Sequence, residues 1–90
     1  MDEKLAELRQ KIDEIDTLLA RALVERLDTV AQVGIVKKQN DFEVLDGSRE
    51  EKVYDNVLAG VNEEHEKFIK EIYDVILSTS RKFQQKIIEE

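Results

Sequence analysis

The sequence predicts an all-α fold of three helices per chain, one long and two shorter. Zero prolines and three glycines in 90 residues leave few places where a helix must stop. The abundant Leu, Ala, Glu, Lys, Arg and Gln favour helix throughout. The chain is also short, so we expect residues 1–90 to form a single small domain.

The first helix is predicted from about residue 3 to about residue 39, because apolar side chains follow a 3,4,3,4 spacing along it. This apolar face starts at Leu5 and Leu8 and is still present at Val30 and Val33. Gly34 falls inside the helix, where glycine costs about 1 kcal/mol relative to alanine. No neighbouring turn signal supports an end there, so we expect the helix to continue through it.

The helical spacing is lost over residues 39–44, which predicts a loop before a second helix. Either Asp46 or Ser48 can cap the free amides of that helix, and Gly60 marks its end. A third helix is expected from about residue 63 to about residue 88. Its apolar positions are Phe68, Ile69, Ile72, Tyr73, Ile76, Phe83, Ile87 and Ile88.

The long helix is too long for a compact chain of this size. It would span about 55 Å, whereas a compact chain of this length has a radius of gyration of about 12 Å. Its apolar face continues to the far end, beyond what two shorter helices can cover. We therefore expect an intertwined homodimeric helical bundle, in which the long helices lie side by side and the short helices fold over both.

Charge and composition disfavour several classes of function. Lys and Arg number 14 against 21 Asp and Glu, and the net charge of −7 argues against nucleic-acid and anionic-membrane partners. No apolar run approaches the ~18 residues needed to span a bilayer, and no signal peptide is recognised. Without cysteine there is no disulfide, zinc-thiolate site or cysteine nucleophile. We expect a cytoplasmic protein.

Polar residues interrupt the apolar faces at a few positions. Arg26 and Lys37 occupy positions on the apolar face of the first helix, and Ser80 and Gln84 extend that of the third. A single arginine at such a position is usually explained by a snorkelling stem or an internal salt bridge. Several inward cations in an acidic protein instead suggest a small anion, and a carboxylate matches the fork of arginine. Spacing alone leaves both explanations open.

Motifs in all three helices occur in a defined order. They are the run LRQKIDEID at 8–16, Glu25-Arg26, Val33-Gly34 with Lys37, Asp46 with Arg49-Glu50, and Ser80 with Gln84. Together they resemble the all-helical class of chorismate mutases, over nearly the whole chain. The resemblance implies an intertwined dimer with two equivalent sites, each using residues from both subunits. It also implies a Claisen-type rearrangement of chorismate to prephenate, in phenylalanine and tyrosine biosynthesis, without cofactor or metal.

The resemblance assigns the substrate carboxylates to four residues. It implies that Arg26 and Arg49 bind carboxylates within one subunit, while Arg9 reaches into the site from the other chain. Ser80 is expected to support a carboxylate from the third helix. The implied partners are therefore a small dicarboxylate, chorismate, and a second copy of the chain.

The reacting part of the substrate is assigned to the remaining residues. Lys37 and Gln84 are implied to hydrogen-bond the ether oxygen as its bond breaks, and Glu50 and the backbone near Asp46 to hold the ring hydroxyl. The expected catalytic residues are thus Lys37, Gln84, Arg26 and Glu50. Because Gln84 needs no proton from solution to donate a hydrogen bond, we expect activity to persist at neutral pH.

Two loops depart from the family pattern, and two other functions stay open. Glu43 stands where family members often have proline, and the connection between the second and third helices is about two residues short. One alternative function is that of the isochorismate-pyruvate lyase relatives, which share the scaffold and the arginines. Asp46 with Arg49-Glu50 resembles the mutase pattern better. The other alternative is a non-catalytic dimeric helical regulatory module.

Overall fold

The computed structural model describes residues 2–90 and consists of three α-helices in that range. Helix α1 spans Glu3–Asn40, α2 spans Gly47–Leu58 and α3 spans Glu63–Glu89. The predicted all-α fold with one long and two shorter helices is confirmed. Over the described residues, none of these helices is both long enough and apolar enough to cross a membrane.

Side-chain caps determine where α2 and α3 begin. Oδ1 of Asp46 accepts hydrogen bonds from the amide of Arg49 and the hydroxyl of Ser48, each at 3.1 Å. Of the two caps considered for α2, Asp46 is therefore the one used. Asn62 caps α3 in the same way, since its Oδ1 accepts from the amide of His65 at 3.2 Å. Each cap satisfies an amide that a helix start leaves without an internal partner.

Left-handed backbone follows α1 and α2. Asp41 has φ 56° and ends α1, where its amide donates to the carbonyl of Lys38 at 3.4 Å. Gly60 has φ 80° just after α2, which fits the predicted end of that helix. A left-handed residue turns the chain sharply away from the helix axis. These two residues provide the sharp turns in the loops that follow α1 and α2.

Helix α3 is the centre of the chain, because α1 and α2 both pack on it. The contact with α1 is close at Gly34, where a Cβ would lie 3.3 Å from the Cβ of Ile87. Glycine inside α1, which continues as predicted, thus lets α3 approach. The buried residues all come from this contact: Val30, Gly34, Leu77, Ser80 and Gln84.

The chain is elongated. Its radius of gyration is 16.7 Å and its principal extents are 58 × 29 × 15 Å, whereas a compact chain of this length has a radius of gyration of about 12 Å. Residues 2–22 are all exposed, so the first half of α1 projects beyond the packed part. The long helix predicted from the sequence is present, and most of its apolar face is uncovered in this chain.

Candidate active site

A cavity of about 340 Å³ lies where α2 and the C-terminal halves of α1 and α3 converge. Its volume falls in the range of small-molecule sites, roughly 300–1,000 Å³. Seven of the eight predicted site residues line it, and Arg9 does not. The lining consists of Arg26, Thr29, Val30, Val33, Lys37, Val44, Asp46, Arg49, Glu50, Val53, Leu77, Ser80, Arg81 and Gln84.

Arg26 is held in the cavity by α3. Its Nη1 donates to Oγ of Ser80 at 2.5 Å. The Ser80 hydroxyl donates in turn to the carbonyl of Ile76 at 2.8 Å, and Ser80 is 5% exposed. The serine predicted to support a ligand carboxylate therefore also orients the guanidinium predicted to bind one.

Lys37 joins the cavity to the loop before α2. Its Nζ donates to the carbonyl of Val44 at 2.6 Å, which draws that loop over the end of α1. An ammonium group has three donors, so two N–H bonds remain for a ligand. The lysine thus both positions the loop and presents positive charge to the cavity.

Gln84 is buried at the base of the cavity. It is 8% exposed, and its Oε1 has no hydrogen-bond partner among the described residues. A buried polar atom without a partner costs free energy. The side-chain amide of Gln84 therefore gains a hydrogen bond when a polar ligand or a water enters the cavity.

The first turn of α2 supplies Asp46, Arg49 and Glu50 to the cavity rim. Hydrogen bonds from the Arg49 amide and then from the Ser48 hydroxyl hold the pKa of the Asp46 carboxyl below its usual value. This carboxylate is already engaged as the helix cap. The backbone around Asp46 is consequently fixed in place.

Glu50 has a partner that the sequence analysis did not identify. Nη1 of Arg81, on α3, lies 2.7 Å from both Oε1 and Oε2 of Glu50. Arg81 also lines the cavity. Helical spacing could have found it, because Arg81 lies four residues after Leu77 and three before Gln84, on the same face of α3.

The electrostatic balance of the cavity is positive. Its acids are Asp46 and Glu50, and its four cations are Arg26, Lys37, Arg49 and Arg81. The formal sum is +2 in a chain of net charge −7. Because the cavity is positive while the chain as a whole is negative, a small anion is attracted to this cavity rather than to the rest of the surface.

Arg9 lies apart from these residues. It precedes Arg26 by 17 positions on α1, which separates the two Cα atoms by about 25 Å at 1.5 Å per residue. Arg9 is exposed. Its side chain therefore cannot reach the cavity of its own chain.

Comparison with known proteins identifies the family. Residues 8–85 match the family model for chorismate mutase type II. The chain belongs to the type II chorismate mutase family. It is similar to the chorismate mutase of Methanocaldococcus jannaschii, with 32% identity over 92 residues that cover 100% of this chain and 93% of that protein. No solved structure matches the chain at a significant level.

Membership in the type II chorismate mutase family confirms the resemblance predicted from the ordered motifs. The match includes Arg9 at one end and Gln84 at the other. The roles that the resemblance assigns to individual side chains stay predictions. Besides Arg81, the carbonyl of Val44 as the partner of Lys37 was not predictable from the sequence, because backbone acceptors leave no trace in residue types.

Proposed function

We propose that this protein is a chorismate mutase, which converts chorismate to prephenate. The observation that carries the proposal is the set of three cations, Arg26, Lys37 and Arg49, facing a single cavity. None of them is paired with a carboxylate within residues 2–90. Unpaired cations in a partly enclosed site favour an anionic ligand. Membership in the type II chorismate mutase family indicates that this anionic ligand is the dianion chorismate.

The reaction needs no proton transfer. In the rearrangement the ether C–O bond breaks while a new C–C bond forms, and all atoms stay in one molecule. Two kinds of interaction lower the barrier. Cations that hold both carboxylates keep the substrate in its compact reactive conformer. Donors aimed at the ether oxygen stabilise the negative charge that develops there in the transition state.

Arg26 and Arg49 bind the carboxylates in this proposal. Arg26 is oriented by Ser80 before the ligand arrives, so little reorganisation is needed on binding. Arg49 lies in the first turn of α2, across the cavity from the wall that α1 and α3 form. Arginine suits this task because its planar fork matches a carboxylate with two parallel hydrogen bonds.

Lys37 and Gln84 donate to the ether oxygen. Lys37 lies on α1 and Gln84 on α3, and both line the cavity. The free N–H bonds of Lys37 and the side-chain amide of Gln84 supply a cationic and a neutral donor. Glu50 and the backbone at Asp46 hold the ring hydroxyl on the α2 side.

The proposal includes a dimer, because one chain leaves too much surface uncovered. The accessible surface is 7430 Å², whereas a compact monomer of 10.5 kDa exposes about 5,400 Å². The excess of about 2,000 Å² per chain matches the large interfaces of permanent dimers. Two stripes of exposed apolar side chains contribute to it: Leu5, Leu8, Ile12, Ile15 and Leu19 on α1, and Phe68, Ile72 and Val75 on α3.

These two stripes suit reciprocal pairing around a two-fold axis, in which each chain's α1 covers the other's α3. Arg9 lies on α1 between Leu8 and Ile12. The same pairing carries Arg9 toward the partner's cavity, where it adds a further cation for a carboxylate. This arrangement is the intertwined dimer that the sequence predicts.

The direct test is incubation of the purified protein with chorismate and, separately, with isochorismate. Loss of chorismate absorbance with formation of prephenate is the expected result. Pyruvate and salicylate from isochorismate, without prephenate from chorismate, would instead identify a lyase. No turnover of either compound by a folded protein would favour a regulatory module and contradict the proposal.

A further inference from the structure

The ion pair between Glu50 and Arg81 has properties that a stabilising surface pair does not need. Both side chains line the cavity, and they are 23% and 35% exposed. Pairs exposed to this extent contribute little to folding stability. One nitrogen, Nη1 of Arg81, lies 2.7 Å from each Glu50 oxygen. The pair thus fixes the direction of the carboxylate more than it stabilises the fold.

The position of Glu50 depends on α3. Helix α2 contacts α3, and within the described residues it makes no close backbone approach to α1. Arg81 is therefore the group that ties the cavity end of α2 to the central helix. A second polar link, in which the hydroxyl of Tyr54 donates to Asp74, lies one turn further along α2 and outside the cavity.

The pair also determines which cations stay free. Glu50 shares the cavity with Arg26, Lys37 and Arg49, and a carboxylate there competes with a bound dianion for these cations. Among residues 2–90 the ion pair that Glu50 forms is with Arg81. An ionised carboxylate has about four lone-pair positions. Arg81 occupies two, which leaves room to accept a hydrogen bond from a ligand hydroxyl.

We propose that Arg81 is a positioning residue. It holds Glu50 as the acceptor for the ring hydroxyl of the substrate and keeps that carboxylate away from the cations that bind the substrate's own carboxylates. This inference rests on the proposed chorismate mutase function. It concerns a residue that acts through Glu50 and does not itself touch the reacting atoms.

The test compares Arg81→Met with Lys82→Met, a matched change at the exposed neighbouring residue of α3. We expect Arg81→Met to raise KM for chorismate about tenfold while kcat changes much less, because the loss falls on binding and alignment. Lys82→Met is expected to keep the wild-type KM. Thermal unfolding by circular dichroism checks that each variant is folded. If Arg81→Met does not fold, Arg81→Gln serves for the same comparison.

Two further variants separate positioning from a general structural role. Because a single nitrogen contacts both carboxylate oxygens, the point charge in Arg81→Lys is expected to restore most of the wild-type KM. In a Glu50→Gln background, Arg81→Met is expected to have no additional effect, since its partner has lost its charge. A structural role of Arg81 that does not involve Glu50 would give additive losses and no rescue by lysine, and a role of the pair in stability alone would lower the unfolding temperature without raising KM.

The outcomes distinguish this inference from the proposed function. Normal wild-type turnover with an unchanged KM in Arg81→Met would overturn the role of Arg81 alone. So would additive losses in the double variant. Failure of the folded wild-type protein to consume chorismate would overturn the proposed function, and the role of Arg81 with it.

Discussion

The guanidinium of Arg26 on α1 is hydrogen-bonded to the hydroxyl of Ser80 on α3, with Nη1 and Oγ 2.5 Å apart. The hydroxyl is anchored in turn by its bond to the carbonyl of Ile76. Since Ser80 is buried, this chain of hydrogen bonds fixes the guanidinium at the cavity wall. The two residues therefore have unequal proposed roles: Arg26 is proposed to bind the ligand, and Ser80 orients Arg26.

Because the two residues have different proposed roles, replacing Arg26 is expected to lower kcat/KM more than replacing Ser80. Arg26→Met removes a charged ligand contact and leaves a ligand carboxylate unpaired, so kcat/KM is expected to fall about 100-fold or more. Ser80→Ala removes only the orienting hydrogen bond, and a loss of about tenfold is expected. Steady-state kinetics on folded variants gives both values. An equal or larger loss in Ser80→Ala would contradict the assigned roles.

Mixing two inactive variants tests whether Arg9 serves the partner's site. If Arg9 completes the site of the partner chain in the proposed homodimer, Arg9→Ala and Arg26→Ala are each expected to disable both sites. In a mixed dimer one site carries both substitutions and the other carries neither, so about half of the mixed dimers' sites are active. We therefore expect activity to return when the two variants are unfolded and refolded together.

The controls for this experiment are each variant refolded alone, which should stay inactive, and analytical ultracentrifugation of the wild-type protein, which should give a dimer. Mixtures that stay as inactive as the separate variants would count against a shared site. A wild-type monomer with full activity would count against the dimer itself.

The residue type at position 84 is expected to set the pH dependence. Wild-type Gln84 is proposed to donate a hydrogen bond and does not titrate, so kcat is expected to stay nearly constant between about pH 6 and pH 8. In Gln84→Glu the side chain donates only when protonated. Burial raises the pKa of a carboxyl at this position and the cations of the cavity lower it; in either case the variant is expected to be active in acid and to lose activity as pH rises through that pKa.

The matched control is Gln85→Glu, at the exposed neighbouring position, which should keep the wild-type pH profile. A pH–rate profile for each of the three proteins provides the measurement. Wild-type activity that collapses between about pH 6 and pH 8 would contradict the proposed role of Gln84. So would a Gln84→Glu variant whose pH–rate profile has the same shape as that of the wild type.

Gly34 is expected to tolerate no large side chain. A Cβ there would already lie 3.3 Å from Cβ and Cγ2 of Ile87, so leucine must push α3 away from α1. Overpacking of this kind typically costs about 1–3 kcal/mol in unfolding free energy. Gly47→Leu is the control, because a Cβ at Gly47 meets nothing within 4 Å. Urea denaturation showing equal stability for the two variants would contradict the close helix contact.

The sequence predicted the helices well because their signals are local. The spacing from Leu5 to Val33 and the cap at Asp46 depend on neighbours in the chain, whereas the family resemblance came from the ordered motifs of the three helices. The reason for Gly34 was not predictable, since it depends on Ile87, which lies on α3 and more than 50 residues later in the chain. From the sequence alone, Gly34 is expected only to lower the stability of α1. Its packing role depends on the contact between α1 and α3.

The site was predicted only in part, for a similar reason. Polar residues at apolar positions identified Arg26, Lys37, Ser80 and Gln84, because each breaks a regular pattern. Helical spacing places Arg81 on the same face of α3 as Leu77 and Gln84, but a basic residue at the edge of a helix face is ordinary and does not by itself indicate a role. Its importance comes from Glu50 on another helix, and that proximity exists only in the folded chain.

The most direct test of the central claim is the rate of chorismate conversion by wild type and by Lys37→Met, with prephenate identified as the product. Lys37 presents the cationic donor proposed for the ether oxygen, and removal of such a donor typically lowers kcat about 100- to 1,000-fold. We expect prephenate formation by the wild type and a loss of this size in the folded variant. Wild-type protein that leaves chorismate unchanged, or a Lys37→Met variant with full activity, would contradict the central claim.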